Sequence, residues 1–165
     1  MLPRIAITRA WSDNDVAQLT FEVCDGVSVF TNEAYASLEW GATAAAALRT
    51  FGSQIHGGLF DLEAGEGLEY ASGSFRARFH YYKPNQLLIS TIQQGDFFSF
   101  KGSQVAPTAT MFLRTEPSLL DQFIAALPAL DASDGGQAVL NASLFRMTLN
   151  EAEAAKRFRC APFAA

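Results

Sequence analysis

The chain has 165 residues, of which 49% are hydrophobic and 12% aromatic, and this size and composition suit one domain, residues 1–165, with a substantial core. Its formal net charge of −5 argues against a dominant phosphate-binding surface, so nucleic acid is not an expected partner. No apolar run approaches the roughly 18 to 20 residues that span a bilayer, and the first residues lack the apolar centre of a secretory signal, so we expect a cytoplasmic protein without a membrane segment.

The N-terminal residues predict a small antiparallel sheet. Arg4–Thr8 has the pattern of a short strand, and residues 12–15 suit a turn. From Leu19 to Phe30, Asp25-Gly26 stands between two β-rich runs. This dipeptide predicts a hairpin, because it is favoured where both central turn residues have positive φ.

The next segment predicts a helix. Thr31 or Asn32 is a suitable N-cap, Glu33 falls in the first turn, and Gly52 is a suitable stop. Small or apolar residues recur at three- and four-residue steps; they are Ala34, Leu38, Gly41, Ala45 and Leu48.

A series of β-rich segments follows, with turns predicted at Pro84-Asn85 and Gly95-Asp96, each at a spacing suited to a hairpin. The predicted strands are residues 55–60, 67–71, 73–82, 86–93, 97–101 and 108–114.

Near the C-terminus, the sequence predicts a second helix that begins near Thr115, tolerates Pro117 in its first turn and ends at Pro128. Its predicted apolar face is Leu120, Phe123 and Leu127. Residues 131–136 resemble a loop, residues 139–149 a strand, and Asn150 suits the cap of a short last helix.

Because the strands are grouped and the helices flank them, we predict an α+β domain. It would have an antiparallel sheet, meander or sandwich-like, with two main helices packed on it and a short C-terminal helix. Residues 131–165 either pack on this core or form a C-terminal extension. The sequence leaves the oligomeric state open.

One predicted strand, SFRARFHYY at residues 74–82, alternates between aromatic and polar residues. Its aromatic side must face the core, because strand side chains repeat every two residues. The other side carries Arg76, Arg78 and His80. They are either an ordinary solvated face or an anion-binding site for phosphate or carboxylate.

The preceding segment, DLEAGEGLEY, is acidic and broken by glycines, so we expect an exposed loop. It is either a solubilising connection or an acidic recognition site for a partner. The candidate partner-binding residues are Asp61, Glu63, Glu66 and Glu69.

No catalytic or cofactor motif is present. The chain lacks GxSxG, HExxH, GxGxxG and GxxxxGK[ST] patterns, and its only histidines are His56 and His80. Cys24 and Cys160 are too few and too far apart for a disulfide framework or a CxxC metal site. We therefore expect no enzyme, no metal and no cofactor. Trp11, Trp40, Tyr35 and the run Phe97-Phe98-Ser99-Phe100 are expected in the core.

Several motifs together resemble small bacterial immunity proteins of the WapI type. They are a hairpin with DGxxxF ending at Phe30, a helix entered near Asn32, a strand GxFxxxFxYY beginning at Gly73, and a closing helix TEPSLLDQFIAALPAL from Thr115, all within residues 17–130. The resemblance implies a cytoplasmic, non-catalytic protein that neutralises one cognate toxin, often a basic enzyme, by masking its active surface. The alternative is a small-ligand or anion-binding domain.

Overall fold

The computed structural model describes residues 1–53, 58–65, 73–83 and 85–144. Within these ranges the chain is mostly antiparallel strand with helices at its flanks, which agrees with an α+β class. The strands are β1 Arg4–Ser12, β2 Val16–Cys24, β3 Val29–Ser37, β4 Leu59–Ala64, β5 Ser74–Lys83, β6 Gln86–Gln94, β7 Phe98–Phe100, β8 Ser103–Val105, β9 Thr108–Thr115, β10 Gln137–Asn141 and β11 Ser143–Leu144; the helices are α1 Trp40–Gly52, α2 Pro117–Ala126 and α3 Ala129–Ala132.

Sheet 1 has the strand order β10-β1-β2-β3, and all its pairs are antiparallel. The predicted hairpin is confirmed as β2–β3. Its turn is centred on Gly26-Val27, and only Gly26 has a positive φ, 98°, so the expectation of positive φ at both Asp25 and Gly26 is wrong. Asp25 acts through its carboxylate instead, because Oδ1 accepts the backbone N–H groups of Val27 and Ser28 at 2.8 and 2.7 Å.

The predicted first helix is half right. Residues 29–37 form strand β3, so the predicted start of the helix is wrong. The helix begins at Trp40, and its predicted end at Gly52 is confirmed. Glu33 and Asn32 are therefore strand residues and cap no helix. Antiparallel pairing with β2 along the whole of β3 outweighs a helical spacing composed mainly of small residues.

Sheet 2 has the strand order β11-β9-β6-β5-β4, again antiparallel. The β5–β6 hairpin is confirmed, with Asn85 in the turn at φ 63°. The hairpin expected at Gly95-Asp96 is wrong, because β6 pairs with β9 while β7 pairs with β8. Residues 95–107 therefore leave the sheet between β6 and β9 and return to it.

Aromatic rings join the two sheets and α1 in one core. Phe21 of sheet 1 stacks on Phe75 of sheet 2 with ring centroids 4.2 Å apart. Phe51 of α1 stacks on Tyr81 at 5.0 Å. The inner faces of both sheets and one side of α1 thus bury a common set of apolar side chains.

A buried polar network also crosses between the sheets. Asn32 Nδ2 donates to the carbonyl oxygens of Ser74 and Gln94 at 2.9 and 3.0 Å. Asn32 Oδ1 accepts from Gln93 Nε2 at 2.8 Å. Because these groups lie in the core, the network satisfies atoms that would otherwise be costly to bury and fixes β3 against β5 and β6.

The closing helices anchor α1. Helix α2 is confirmed, with Leu120 and Phe123 buried, and it ends before Pro128. Asp131, expected in a loop, lies in α3. Its Oδ1 and Oδ2 accept the backbone N–H groups of Gly41 and Ala42 at 2.8 and 2.6 Å, so a residue far along the chain caps α1.

The strand expected at residues 139–149 is observed as β10 and β11 as far as residue 144. β10 pairs with β1 in sheet 1 and β11 pairs with β9 in sheet 2, so this part of the chain links the two sheets. Residues 137–141 therefore pack on the core, with Ala138 and Leu140 buried. The short helix predicted from Asn150 lies outside the described residues.

Candidate functional site

Strand β5 separates its side chains onto two faces, as its alternation predicts. Phe75, Phe79 and Tyr81 are buried in the core. Arg76 and His80 lie on the opposite face and are partly exposed. The polar residues of this strand therefore share the outer face of sheet 2.

The two candidate sites are neighbours on that face. In the β4–β5 register, Asp61 is opposite Arg78 and Glu63 is opposite Arg76. Arg78 donates from Nε to Asp61 Oδ1 and from Nη2 to Asp61 Oδ2, both at 2.7 Å. Arg76 Nε lies 2.6 Å from Glu63 Oε1. We call these two cross-strand pairs the ion-pair ladder.

The ladder corrects one expectation. Asp61 and Glu63 were predicted in an exposed loop, but they lie in strand β4, where cross-strand arginines offset their charge and β5 supplies backbone partners. Glu66 and Glu69 lie outside the described residues. The predicted acidic and basic sites are thus partly one structure.

The ladder shapes the electrostatics of Asp61. Its hydrogen bonds with Arg78 hold the pKa of the carboxyl group below the ordinary value of 3.8, although burial acts in the opposite direction. Asp61 is therefore ionised at neutral pH, and its charge is balanced within the sheet.

His80 lies between two leucines. Leu59 is its partner on β4 and Leu88 is its partner on β6. Burial lowers the pKa of His80 from 6.5, because a partly desolvated imidazolium is less stable than the neutral ring. His80 is thus mainly neutral at pH 7, whereas a cationic anion-binding site would need the charged form. His56 lies outside the described residues.

A second feature was predicted in part: the strand expected at residues 97–101 is observed as β7, but its pairing with β8 was missed. We call residues 97–105, which contain β7 and β8, the arm. Within the described residues these two strands form a sheet of their own. Lys101 and Gly102 make the turn, with φ of 50° and 82°, as in a two-residue hairpin. The base is held by Gly95 N–H, which donates to the Pro107 carbonyl at 2.9 Å.

Phe98 and Phe100 share one face of the arm, because they are two residues apart on a strand. Their exposed fractions are 51% and 56%. The expectation that this aromatic run belongs to the core is therefore wrong for these two residues, and Trp11 and Tyr35 are also exposed. A run of aromatics followed by a Lys-Gly turn was the available signal for a projecting hairpin.

Other kinds of site find no support in the part of the chain that the structure describes. No cluster of three or more His, Cys, Asp or Glu side chains is arranged to hold a metal there. In the same ranges, no helix is long and apolar enough to cross a membrane.

Comparisons of the chain with protein-family models, with curated proteins and with solved structures found no match. The similarity to WapI-type immunity proteins therefore stays a prediction from the sequence motifs. The ion-pair ladder and the arm are the features from which a function must be argued.

Proposed function

We propose that this chain is a non-catalytic cytoplasmic binding protein that neutralises a cognate protein toxin, and that the arm is its main contact. One observation carries the proposal: Phe98 and Phe100 are about half exposed on the same face of a projecting hairpin. Aromatic side chains, Phe included, are enriched in protein–protein interfaces relative to the rest of the surface. A toxin cleft that receives the arm would be blocked for its own substrate.

The expected contribution of these anchors is moderate. Fully burying a Phe side chain is worth about 1.5–3 kcal/mol, so covering the exposed half of both rings is worth about 1.5–3 kcal/mol together. That corresponds to about a 10- to 150-fold gain in affinity. The arm therefore supplies a measurable part of the binding energy, and surrounding contacts must supply the rest.

Net charge supports a basic partner. The chain carries −5, which attracts a cationic enzyme and accelerates encounter at low salt. Asp61 and Glu63 attract a basic partner less strongly than unpaired carboxylates would, because Arg78 and Arg76 pair with them. On this proposal, Glu66 and Glu69 add the remaining local negative charge.

The anion-binding alternative has less support. A phosphate or carboxylate ligand at Arg76 and Arg78 would compete with Glu63 and Asp61 for the guanidinium groups. His80, the third member of that candidate site, is disfavoured as a cation by burial. The alternative predicts that phosphate raises the unfolding temperature, by an amount that grows with the logarithm of the phosphate concentration once the site is filled.

A genetic selection tests the proposal. Fragments of the source genome are expressed with and without this protein, and clones are sought that kill cells only in its absence. The expected result is one gene whose toxicity the protein suppresses in a stoichiometric complex. If every toxic fragment kills equally with and without the protein, the immunity function is wrong.

The arm is tested separately with the purified pair. Replacing Phe98 and Phe100 by Ser should weaken the complex about 10- to 150-fold. Phe112→Ser is the matched control, since Phe112 is 51% exposed and lies in β9, which is not part of the arm. Loss of affinity with Phe112→Ser alone would assign the interface to the sheet.

A further inference from the structure

Strand β6 places two polar side chains in the core whose oxygen atoms lack a hydrogen-bond partner among the described residues. They are Thr91 Oγ1 and Gln93 Oε1. Both side chains are fully buried, at 0% exposure. A buried oxygen without a partner is costly, and folded proteins leave few such atoms unsatisfied.

The two oxygens belong to the same inner face, because Thr91 and Gln93 are two residues apart on one strand. The amide of Gln93 is oriented by its other end: Nε2 donates to Asn32 Oδ1 at 2.8 Å and to the Phe21 carbonyl at 3.3 Å. Oε1 is therefore a fixed acceptor. Thr91 Oγ1 carries a rotatable hydroxyl that is both donor and acceptor.

Small side chains lie beside both groups. Ala77 of β5 is opposite Thr91, and Ala109 of β9 is opposite Gln93. The neighbours on the other side are larger, with Met111 of β9 opposite Thr91 and Phe75 of β5 opposite Gln93. An internal water molecule needs space and two to four polar partners, and the two alanines are the positions where such space would lie.

We propose that one water molecule is bound between the two sheets, donating to Gln93 Oε1 and bonding to Thr91 Oγ1. This water extends the network of Asn32 and Gln93 along β6. The inference is independent of the proposed toxin binding, because it concerns the core and not the arm.

The direction in which one substitution shifts the unfolding midpoint tests the water site. Thr91→Val keeps the shape of the side chain and removes the hydroxyl. If the water is present, the variant leaves it with one partner fewer, and the unfolding midpoint should fall by about 2–4 °C. If the hydroxyl is simply unsatisfied, its removal should leave the midpoint unchanged or raise it, and that result would overturn the proposal.

Thr110→Val is the control, since Thr110 is exposed on the outer face of β9 and the same substitution there should shift the midpoint little. A second measurement uses the wild-type protein, so it does not depend on a variant folding. Magnetisation transfer from a long-lived water to the Thr91 γ-methyl protons is expected by NMR. Absence of such transfer, with transfer seen at exposed threonines only, would contradict an internal water.

Discussion

Arg78 and Asp61 form a bidentate ion pair between β5 and β4, with both nitrogen–oxygen distances at 2.7 Å. This pair joins residues that the sequence assigned to two competing sites, one acidic and one basic. Because each charge is balanced by the other, the outer face of sheet 2 is less charged than either set of residues alone suggests.

Replacing Asp61 by Asn tests the value of this pair. We expect the free energy of unfolding at pH 7 to fall by about 1 kcal/mol, near the upper end for partly exposed pairs. Because the folded pKa of Asp61 is lowered below 3.8, the pair stabilises the protein above that pH, and the benefit is lost as the pH falls through the lowered folded value. Urea unfolding at several pH values measures both effects.

Asp15→Asn is the control for that experiment, since Asp15 is exposed in the loop between β1 and β2. An equal loss of stability in both variants at neutral pH would mean that the Arg78–Asp61 pair has no stabilising role of its own.

His80 should titrate below the ordinary histidine range. Burial beside Leu59 and Leu88 lowers the folded pKa from 6.5, so the unfolded chain binds a proton more readily than the folded one. Stability from this residue is therefore complete above about pH 6.5 and declines as the pH falls through the lower folded pKa. NMR titration of the imidazole protons measures the value.

His80→Gln should remove that part of the pH dependence of unfolding. Comparison with His56→Gln assigns the two sets of imidazole signals in the NMR spectrum to His56 and His80. A folded pKa above 6.5 for His80 would contradict the desolvation argument. It would also restore the case for a cationic anion-binding site with Arg76 and Arg78.

The amide of Asn32 should be important for stability. Asn32→Ala leaves the carbonyls of Ser74 and Gln94 and the amide of Gln93 without this partner in the core. We expect a loss of about 2–3 kcal/mol. Thr31→Ala, at the exposed neighbouring position, should cost much less, and similar losses in the two variants would argue against the network.

Asp131 should stabilise α1 from a distance. Asp131→Ala removes the acceptor of the Gly41 and Ala42 N–H groups and the negative charge at the helix N-terminus, so about 1–2 kcal/mol should be lost. Asp131→Asn keeps one acceptor oxygen and should lose less. If the two variants unfold at the same denaturant concentration as the wild type, the cap is energetically irrelevant.

Local signals in the sequence predicted the parts of the fold that depend on neighbouring residues. The Asp25-Gly26 hairpin, the alternation of β5 and the entry of α2 at Pro117 follow from turn chemistry, side-chain periodicity and the tolerance of proline in a first turn. These rules depend only on residues close together in the chain, so they can be applied to a single sequence.

The errors lie where distant residues decide the structure. β3 has weak helical spacing, but pairing with β2 makes it a strand. β4 contains two acidic residues and is followed at once by Gly65, which favours a loop, but β5 offers it a backbone partner and two arginines. The aromatic run and the Lys-Gly turn are a local signal for the arm, but the pairing of β6 with β9, beyond residues 95–107, is not encoded in any local pattern.

Site-specific photo-crosslinking in the source cells tests the central claim most directly. A benzophenone amino acid replaces Phe100 in one variant and Phe112 in the other, since both positions are exposed aromatics. The account predicts one discrete protein adduct from position 100, identified as a basic protein that the chain detoxifies, and little adduct from position 112. Adducts from position 112 with none from position 100 would contradict the assignment of the arm as the binding element.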